Sequence, residues 1–184
     1  KFLFTFVGAM SERKGIDRIL KLLEINSYDE DILINLVGPE TEFFQNLLEE
    51  NRYRINHHCN AGRLNIVLGL NSRVSEYLRA SDFFLFPTRK DAFGAVLIEA
   101  LASGAVPIST RIEGVTDSFL NKNNSLLCEN TFESFKETFE KALKLNDEAR
   151  RELREQGIKD AKAFSLENIS SRYEKMFYDV LKED

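Results

Sequence analysis

Apolar residues along this chain fall into two kinds of pattern. The first is a short, almost wholly apolar run of four to six residues, most of these runs being followed by a glycine or a proline. Such runs are typical of strands buried on both faces of a parallel sheet. They occupy residues 2–7, 32–37, 65–68, 83–86, 106–109 and 125–128, the last of them predicted at an edge.

The second pattern is a repeat of apolar residues every three or four positions, which predicts amphipathic helices between and after these strands. The predicted helices carry Ile16, Ile19, Leu20 and Leu23; Phe44, Leu47 and Leu48; residues 74–79; and residues 94–103. Gly104 stands where a helix C-cap glycine is expected. Strands alternating with helices predict an α/β fold: a doubly wound, Rossmann-like parallel sheet of about six strands with helices on both faces.

The last third of the sequence is helical. Thr131 and Ser165 are predicted N-caps, Asp147 is predicted to start another helix, and Asn71-Ser72 is a further predicted cap earlier in the chain. The final helix has a broad apolar stripe, formed by Leu166, Ile169, Tyr173, Met176, Phe177 and Val180. We expect part of this stripe to form an exposed apolar patch on this chain.

Composition narrows the class of protein. The 184 residues are 43% hydrophobic and 30% charged, with a net charge of −5, which argues against nucleic acid as a partner. The apolar runs are too short for a transmembrane segment, and two cysteines in dissimilar segments favour a reducing, cytoplasmic location. The chain opens on a strand without an initiator methionine, so we expect an excised single domain, residues 1–184, that lacks a preceding half.

Candidate chemistry lies in the loops that follow strands, where an open parallel sheet binds its ligands. The basic pairs Arg13-Lys14 and Arg89-Lys90 each follow a predicted strand and could hold a small anion. His57-His58-Cys59 has no second cluster at ligand spacing, so we interpret it as a helix end rather than a metal site. The sequence contains no G-x-G-x-x-G or Walker motif and no serine or cysteine nucleophile motif.

Two acids are separated by seven residues in the stretch 91–107, which has the sequence DAFGAVLIEALASGAVP. Asp91 lies in the loop before the predicted helix. Glu99 lies on the helix itself, among apolar neighbours, so we expect its carboxylate to have a partner, since burying it unpaired is costly.

This stretch resembles the acidic–x7–acidic signature of the group 1 family of retaining glycosyltransferases with the GT-B fold. Asp91 replaces the usual glutamate and Ala92 the usual glycine. The loop 8–15, GAMSERKG, resembles the family's phosphate loop G-R-L-x-x-x-K-G, with Lys14 at the lysine and Ala9 at the arginine.

The resemblance implies that residues 1–184 are the C-terminal, donor-binding domain of such an enzyme, with the acceptor-binding N-terminal domain absent from this chain. It implies transfer of a hexosyl-type unit from a nucleoside diphosphate sugar, with retention of configuration and without a metal or other cofactor. A UDP- or GDP-sugar is favoured, although the sequence does not choose among UDP, GDP and ADP. The location implied is the cytoplasm, with peripheral membrane association through the missing half.

The family's residue roles carry over position by position. Lys14, Asp91 and Glu99 are the catalytic candidates, with Glu99 accepting from the ribose and Asp91 from the donor sugar. Further donor contacts are implied at Gly8, Arg13, Gly38, Leu70, Phe93, Gly94 and Ala95. Two alternatives stay open, a non-catalytic nucleotide-sugar-binding module and a GT-B-like sugar-nucleotide epimerase.

Overall fold

The computed structural model describes residues 1–24, 32–70 and 72–182. Its six strands are β1 (Phe2–Val7), β2 (Ile32–Gly38), β3 (Leu64–Leu68), β4 (Phe83–Phe86), β5 (Val106–Thr110) and β6 (Leu126–Cys128). They form one sheet in the order β3-β2-β1-β4-β5-β6, and every neighbouring pair is parallel. The predicted parallel sheet is confirmed, and β6 lies at an edge, as expected.

Eight helices surround or follow the sheet in the described residues. They are α1 (Ile16–Leu22), α2 (Glu42–Glu50), α3 (Arg52–Asn60), α4 (Val74–Ala80), α5 (Ala95–Ser103), α6 (Phe132–Leu143), α7 (Asp147–Ala161) and α8 (Leu166–Lys182). Short 3-10 turns cover Thr116–Ser118 and Lys162–Phe164. Gly104 closes α5 in the left-handed conformation, as the sequence predicts.

Hydroxyl side chains cap α6 and α8, two of the helices of the last third. The Thr131 hydroxyl accepts a hydrogen bond from the Ser134 amide at 3.2 Å, and the Ser165 hydroxyl accepts from the Asn168 amide at 3.3 Å. Both predicted caps are confirmed. The predicted cap at Ser72 is wrong, because Arg73 occupies the cap position of α4 without a side-chain hydrogen bond, and Asn71 lies outside the described residues.

The core lies on both faces of the central strands, because consecutive side chains of β4 point to opposite sides. Phe83 and Leu85 belong to the cluster covered by α1, α2, α3 and α6, and Phe84 and Phe86 belong to the cluster covered by α4, α5 and α7. The Phe4 ring lies 5.1 Å from the Phe83 ring, between centroids. All four β4 side chains are almost completely buried, which confirms the prediction from their apolar run.

Helix α8 differs from the other helices in that none of its residues is buried. Tyr173, Met176, Phe177 and Val180 are between 48% and 60% exposed, so the predicted apolar patch is present. Within the described part of the chain, no helix combines the length and the apolar character that crossing a membrane requires.

Candidate functional site

The carboxyl ends of all six strands lie at one edge of the sheet, and the loops after β1 and β4 touch each other there. Their closest approach is at Gly15, where a Cβ atom would lie only 2.1 Å from the Pro87 carbonyl oxygen. Gly15 also has a φ of +75°, which side chains disfavour. Glycine is therefore required at this contact for both reasons, and the two loops form one surface.

The loops after β1 and β2 approach equally closely. A Cβ on Gly38 would lie 2.0 Å from the Gly8 carbonyl oxygen, and the Gly8 amide donates to the Val37 carbonyl oxygen at 3.0 Å. The predicted nucleotide contacts Gly8 and Gly38 are thus adjacent. Because neither glycine carries a side chain, the backbones of these two loops can lie this close together.

Lys14 and Asp91 form an ion pair across the first two loops. Lys14 Nζ lies 2.5 Å from Asp91 Oδ2, and the two side chains are only 15% and 11% exposed. The Ala92 amide donates to Asp91 Oδ1 at 2.8 Å, and Lys14 Nζ lies 5.6 Å from the centroid of the Phe86 ring. Two candidates that are 77 residues apart in sequence are therefore in direct contact.

The charge of Lys14 determines the ionisation of this pair. Burial alone would raise the pKa of Asp91, but the hydrogen bond and the positive charge of Lys14 outweigh that effect, so the pKa lies below its ordinary value of 3.8. Asp91 is therefore ionised at neutral pH. A ligand phosphate and the Asp91 carboxylate would compete for the same ammonium group.

Glu99 lies on the exposed side of α5, one helical turn after Ala95, while Leu97 and Ala100 face the core. The expectation that this carboxylate has a partner within the chain is wrong, since no hydrogen bond or ion pair reaches it from the described residues. Leu97, Ala100 and Leu101 are buried while Glu99 is exposed, so its charge is not buried. The carboxylate is available to a ligand.

The start of α5 completes this part of the edge. Gly94 is buried in the left-handed conformation and occupies the N-cap position of α5, and Ala95 is exposed as the first helical residue. The exposed Phe93 ring packs edge-on against Phe119, with centroids 5.3 Å apart. The first amides of the helix have no partner within the helix, which is the usual basis of anion binding at helix N-termini.

The two basic pairs are only partly free for a ligand. Arg13 is exposed, and its Nη1 donates to the Lys90 carbonyl oxygen at 3.0 Å. Arg89 binds Asp17 through two hydrogen bonds of 2.7 Å and also donates to the Glu12 carbonyl oxygen. Arg89 is thus already paired with a carboxylate of this chain, and the expectation that its basic pair holds a small anion stays a prediction.

Sequence reasoning missed Asp17, Arg18 and Asn130, which join this network. Arg18 is buried and donates to the Pro87 carbonyl oxygen at 3.1 Å and to the Asn130 side-chain oxygen at 2.8 Å. Asn130 in turn donates to the Arg89 carbonyl oxygen at 3.0 Å. No local motif marks these residues, because their partners come from distant segments of the chain. The one available signal was Arg18, because a charged residue on the buried side of α1 needs a partner.

The remaining predicted contacts lie further along the edge or away from it. Leu70 follows the edge strand β3 and is 96% exposed, while Asn71 lies outside the described residues. His57 and His58 lie in the last turn of α3, which confirms the predicted helix end, and His58 Nε2 lies 3.0 Å from the Leu23 carbonyl oxygen. Among the described residues, no group of three or more His, Cys, Asp or Glu residues could hold a metal ion.

Comparison with known proteins identifies the family. The model of the family described as glycosyl transferases group 1 matches residues 1–160. The chain belongs to the group 1 glycosyl transferases. Its resemblance to that family and to the GT-B fold is thereby confirmed.

Two relatives illustrate the range of this group 1 family. Over 190 residues the chain is 30% identical to the capsular polysaccharide biosynthesis glycosyltransferase CapM of Staphylococcus aureus, covering 99% of this chain and 47% of the relative. Over 122 residues it is 33% identical to the N-acetyl-alpha-D-glucosaminyl L-malate synthase of Bacillus anthracis, covering 65% of this chain and 32% of the relative. The chain thus spans less than half the length of these relatives.

Solved structures share the fold of this group 1 chain. Anabaena Alr3699/HepE, solved in complex with UDP, superposes with a TM-score of 0.80 at 15% identity, over 97% of this chain and 49% of that one. The pneumococcal O-GlcNAc transferase GtfA, solved with UDP and GlcNAc, superposes with a TM-score of 0.79 at 21% identity, over 98% of this chain and 36% of that one. At these identities the likeness establishes the fold.

Proposed function

We propose that residues 1–184 form the donor-binding domain of a glycosyltransferase that uses a nucleoside diphosphate sugar and transfers a hexosyl-type unit with retention of configuration. The observation that carries this proposal is the meeting of Lys14, Asp91 and the start of α5 at the carboxyl edge of the sheet. This edge is where parallel α/β sheets bind nucleotides. The family membership and the UDP complexes of two fold neighbours support it.

In this proposal the diphosphate lies between the loop that carries Lys14 and the start of α5. The ammonium group and the amides of Phe93, Gly94 and Ala95 stabilise the negative charge that develops on the leaving diphosphate. These groups take the part that a metal ion takes in other transferases, so we propose that no metal is required. Arg13, beside Lys14, would reach the diphosphate only by leaving the Lys90 carbonyl oxygen.

The proposed sugar and nucleoside contacts lie on either side of the diphosphate. Glu99, whose carboxylate is exposed, accepts hydrogen bonds from the ribose hydroxyls, and Asp91 accepts from the donor sugar. Gly8 and Gly38 allow close approach of the ligand to the backbone, and Leu70 lies on the nucleobase side. We place the reaction in the cytoplasm and the acceptor on a separate N-terminal domain.

A non-catalytic nucleotide-sugar-binding module is the second candidate. Ala9 favours it, because it provides no cation where the family's phosphate loop has an arginine. The Lys14–Asp91 pair favours it as well, since each group already has a partner. A transfer assay separates the two candidates.

The test combines binding and transfer measurements. By calorimetry, the 184-residue chain should bind one of UDP, GDP and ADP with a Kd of roughly micromolar to millimolar. It should transfer no labelled sugar alone and should transfer it once joined to its N-terminal half, and Glu99→Gln should then impair donor use. Absence of binding to all three diphosphates would overturn the proposal, and robust transfer by the isolated chain would mean that the acceptor site lies within these residues.

A further inference from the structure

Arg89 makes more connections between the two ligand-facing loops than any single residue of the site described above. Its side chain binds both carboxylate oxygens of Asp17 at 2.7 Å and the Glu12 carbonyl oxygen, and its own amide donates to the Arg13 carbonyl oxygen at 2.8 Å. All three partners belong to the loop after β1 or to the first turn of α1. Arg89 itself belongs to the loop after β4 that also carries Asp91.

A second set of hydrogen bonds fixes Arg89 from the other side. The Asn130 side chain donates to the Arg89 carbonyl oxygen at 3.0 Å, and buried Arg18 holds Asn130 through its side-chain and main-chain oxygens at 2.8 and 3.0 Å. The backbone at Arg89 is thus held on both sides, while its guanidinium is held by Asp17 and the Glu12 carbonyl oxygen.

The charge of Arg89 is matched within the chain. The hydrogen bonds and charge of Arg89 more than offset the burial that would raise the pKa of Asp17, so the pKa of Asp17 lies below its ordinary value. A bidentate pair between arginine and carboxylate fixes direction as well as distance, which a single charge cannot do. These features suit a residue that positions others.

We propose that Arg89 is a positioning residue for the donor diphosphate: its bidentate pair with Asp17 holds the loop after β1 against the loop after β4, so that Lys14 faces the start of α5. This inference rests on the proposed function. By this inference, Arg89 and Asp17 affect phosphate binding without touching the ligand. Lys14 and the start of α5 make the contacts themselves.

The sign of one substitution separates this role from direct anion binding by Arg89. If Arg89 were a ligand, Asp17→Asn would remove a competing anion and tighten diphosphate binding. If Arg89 positions the loops, Asp17→Asn breaks the same pair as Arg89→Ala, and both should weaken diphosphate binding about tenfold, which corresponds to about 1.4 kcal/mol. Arg89→Lys should also weaken it, because lysine keeps the charge but loses the bidentate geometry.

The experiment measures binding of UDP, GDP, ADP and the corresponding nucleosides to the 184-residue chain by calorimetry, together with the rate at which an amine-acylating reagent labels Lys14. In both Asp17→Asn and Arg89→Ala we expect nucleoside binding to change by less than about twofold. We expect the labelling rate of Lys14 to rise about fivefold, because a loosened loop exposes the ammonium group. Arg54→Ala is the matched control. It breaks another arginine–carboxylate pair, to Glu24 at 2.6 Å, beyond the far end of α1.

Each outcome decides one question. The positioning role would be overturned by tighter diphosphate binding in Asp17→Asn. It would also be overturned if diphosphate binding and Lys14 labelling were both unchanged in both variants. If wild type bound no diphosphate while the two variants still released Lys14 to the reagent, the proposed function would fail and the positioning of Lys14 by Arg89 would stand. Thermal unfolding of each variant establishes that the chain remains folded during these measurements.

Discussion

Removing the Lys14 charge should weaken binding of nucleoside diphosphates and leave binding of nucleosides almost unchanged. A charge-assisted contact to phosphate contributes about 1.5–3 kcal/mol. Lys14 is already paired with Asp91 at 2.5 Å, and giving up such a pair costs about 1 kcal/mol. The net effect expected for Lys14→Ala is therefore about 0.5–2 kcal/mol, or about 2- to 30-fold in Kd.

The same free-energy estimate predicts the opposite effect on diphosphate binding when Asp91, the other member of the ion pair, is changed. Asp91→Asn keeps the size of the side chain but removes its charge, so Lys14 no longer has to leave a carboxylate when phosphate arrives. Binding of the bare diphosphate should tighten by up to about fivefold, the equivalent of about 1 kcal/mol. Transfer of sugar by the chain joined to the proposed N-terminal domain should nevertheless fall, because the proposed contact to the sugar is lost.

Calorimetry with UDP, GDP and ADP and with the matching nucleosides measures both effects. Lys136→Ala serves as the control, since it breaks a lysine–glutamate pair of 3.0 Å on α6. Equal losses for nucleoside and diphosphate in Lys14→Ala would place Lys14 outside the phosphate site. Weaker diphosphate binding in Asp91→Asn would show that the carboxylate supports the ligand instead of competing with it.

Three further predictions concern stability and surface. Asp17 and Asp91 both have pKa values below the ordinary 3.8, so each stabilises the folded state above that pH and loses the effect as the pH falls through its lowered pKa. Converting both to asparagine should therefore make the unfolding free energy fall less steeply with decreasing pH in the acid range. In denaturant titration, Gly15→Ala should lower the unfolding free energy by more than Gly62→Ala. Both glycines have a positive φ, but only at Gly15 would the added Cβ atom collide with the Pro87 carbonyl oxygen, and equal losses would contradict that contact. Phe177→Ser should change the unfolding free energy by less than about 0.5 kcal/mol, since the ring is 60% exposed. If the apolar patch of α8 contacts the proposed N-terminal domain, the same change should weaken association of the two domains in a pull-down.

The parallel sheet could be predicted because its strands are encoded locally. Phe83–Phe86 is apolar at every position, which suits only a strand covered on both faces, and the glycines and Pro87 that follow the strands mark where the ligand-facing loops begin. Helix caps such as Thr131 were predictable for the same reason, since a cap depends on three or four consecutive residues. The cap predicted at Ser72 was wrong, because Arg73, one position later, occupies the cap position of α4 and makes no side-chain hydrogen bond there.

The contacts within the site could not be predicted in the same way. The sequence places Lys14 and Asp91 in two different loops, and only the pairing of β1 with β4 brings them together. Glu99 was expected to need a partner because its neighbours in sequence are apolar, but the helix turns Ala100 and Leu101 to the core and leaves Glu99 exposed. Ion pairs such as Arg89–Asp17 depend on the directions of side chains from two separate segments, and the hydrophobic pattern of the sequence does not determine those directions.

The exposure of the candidate ligand contacts explains why we expect little chemistry from this chain alone. Glu99, Phe93 and Ala95 face solvent, so water reaches this edge although Lys14 is only 15% exposed. At 4 Å an ion pair is worth about 1 kcal/mol in bulk water and about 4 kcal/mol near a partly dehydrated protein surface. A difference of about 3 kcal/mol in the transition state corresponds to a rate change of about 100-fold. The second domain that we propose would therefore speed transfer by covering this edge and excluding water, as well as by holding the acceptor in place.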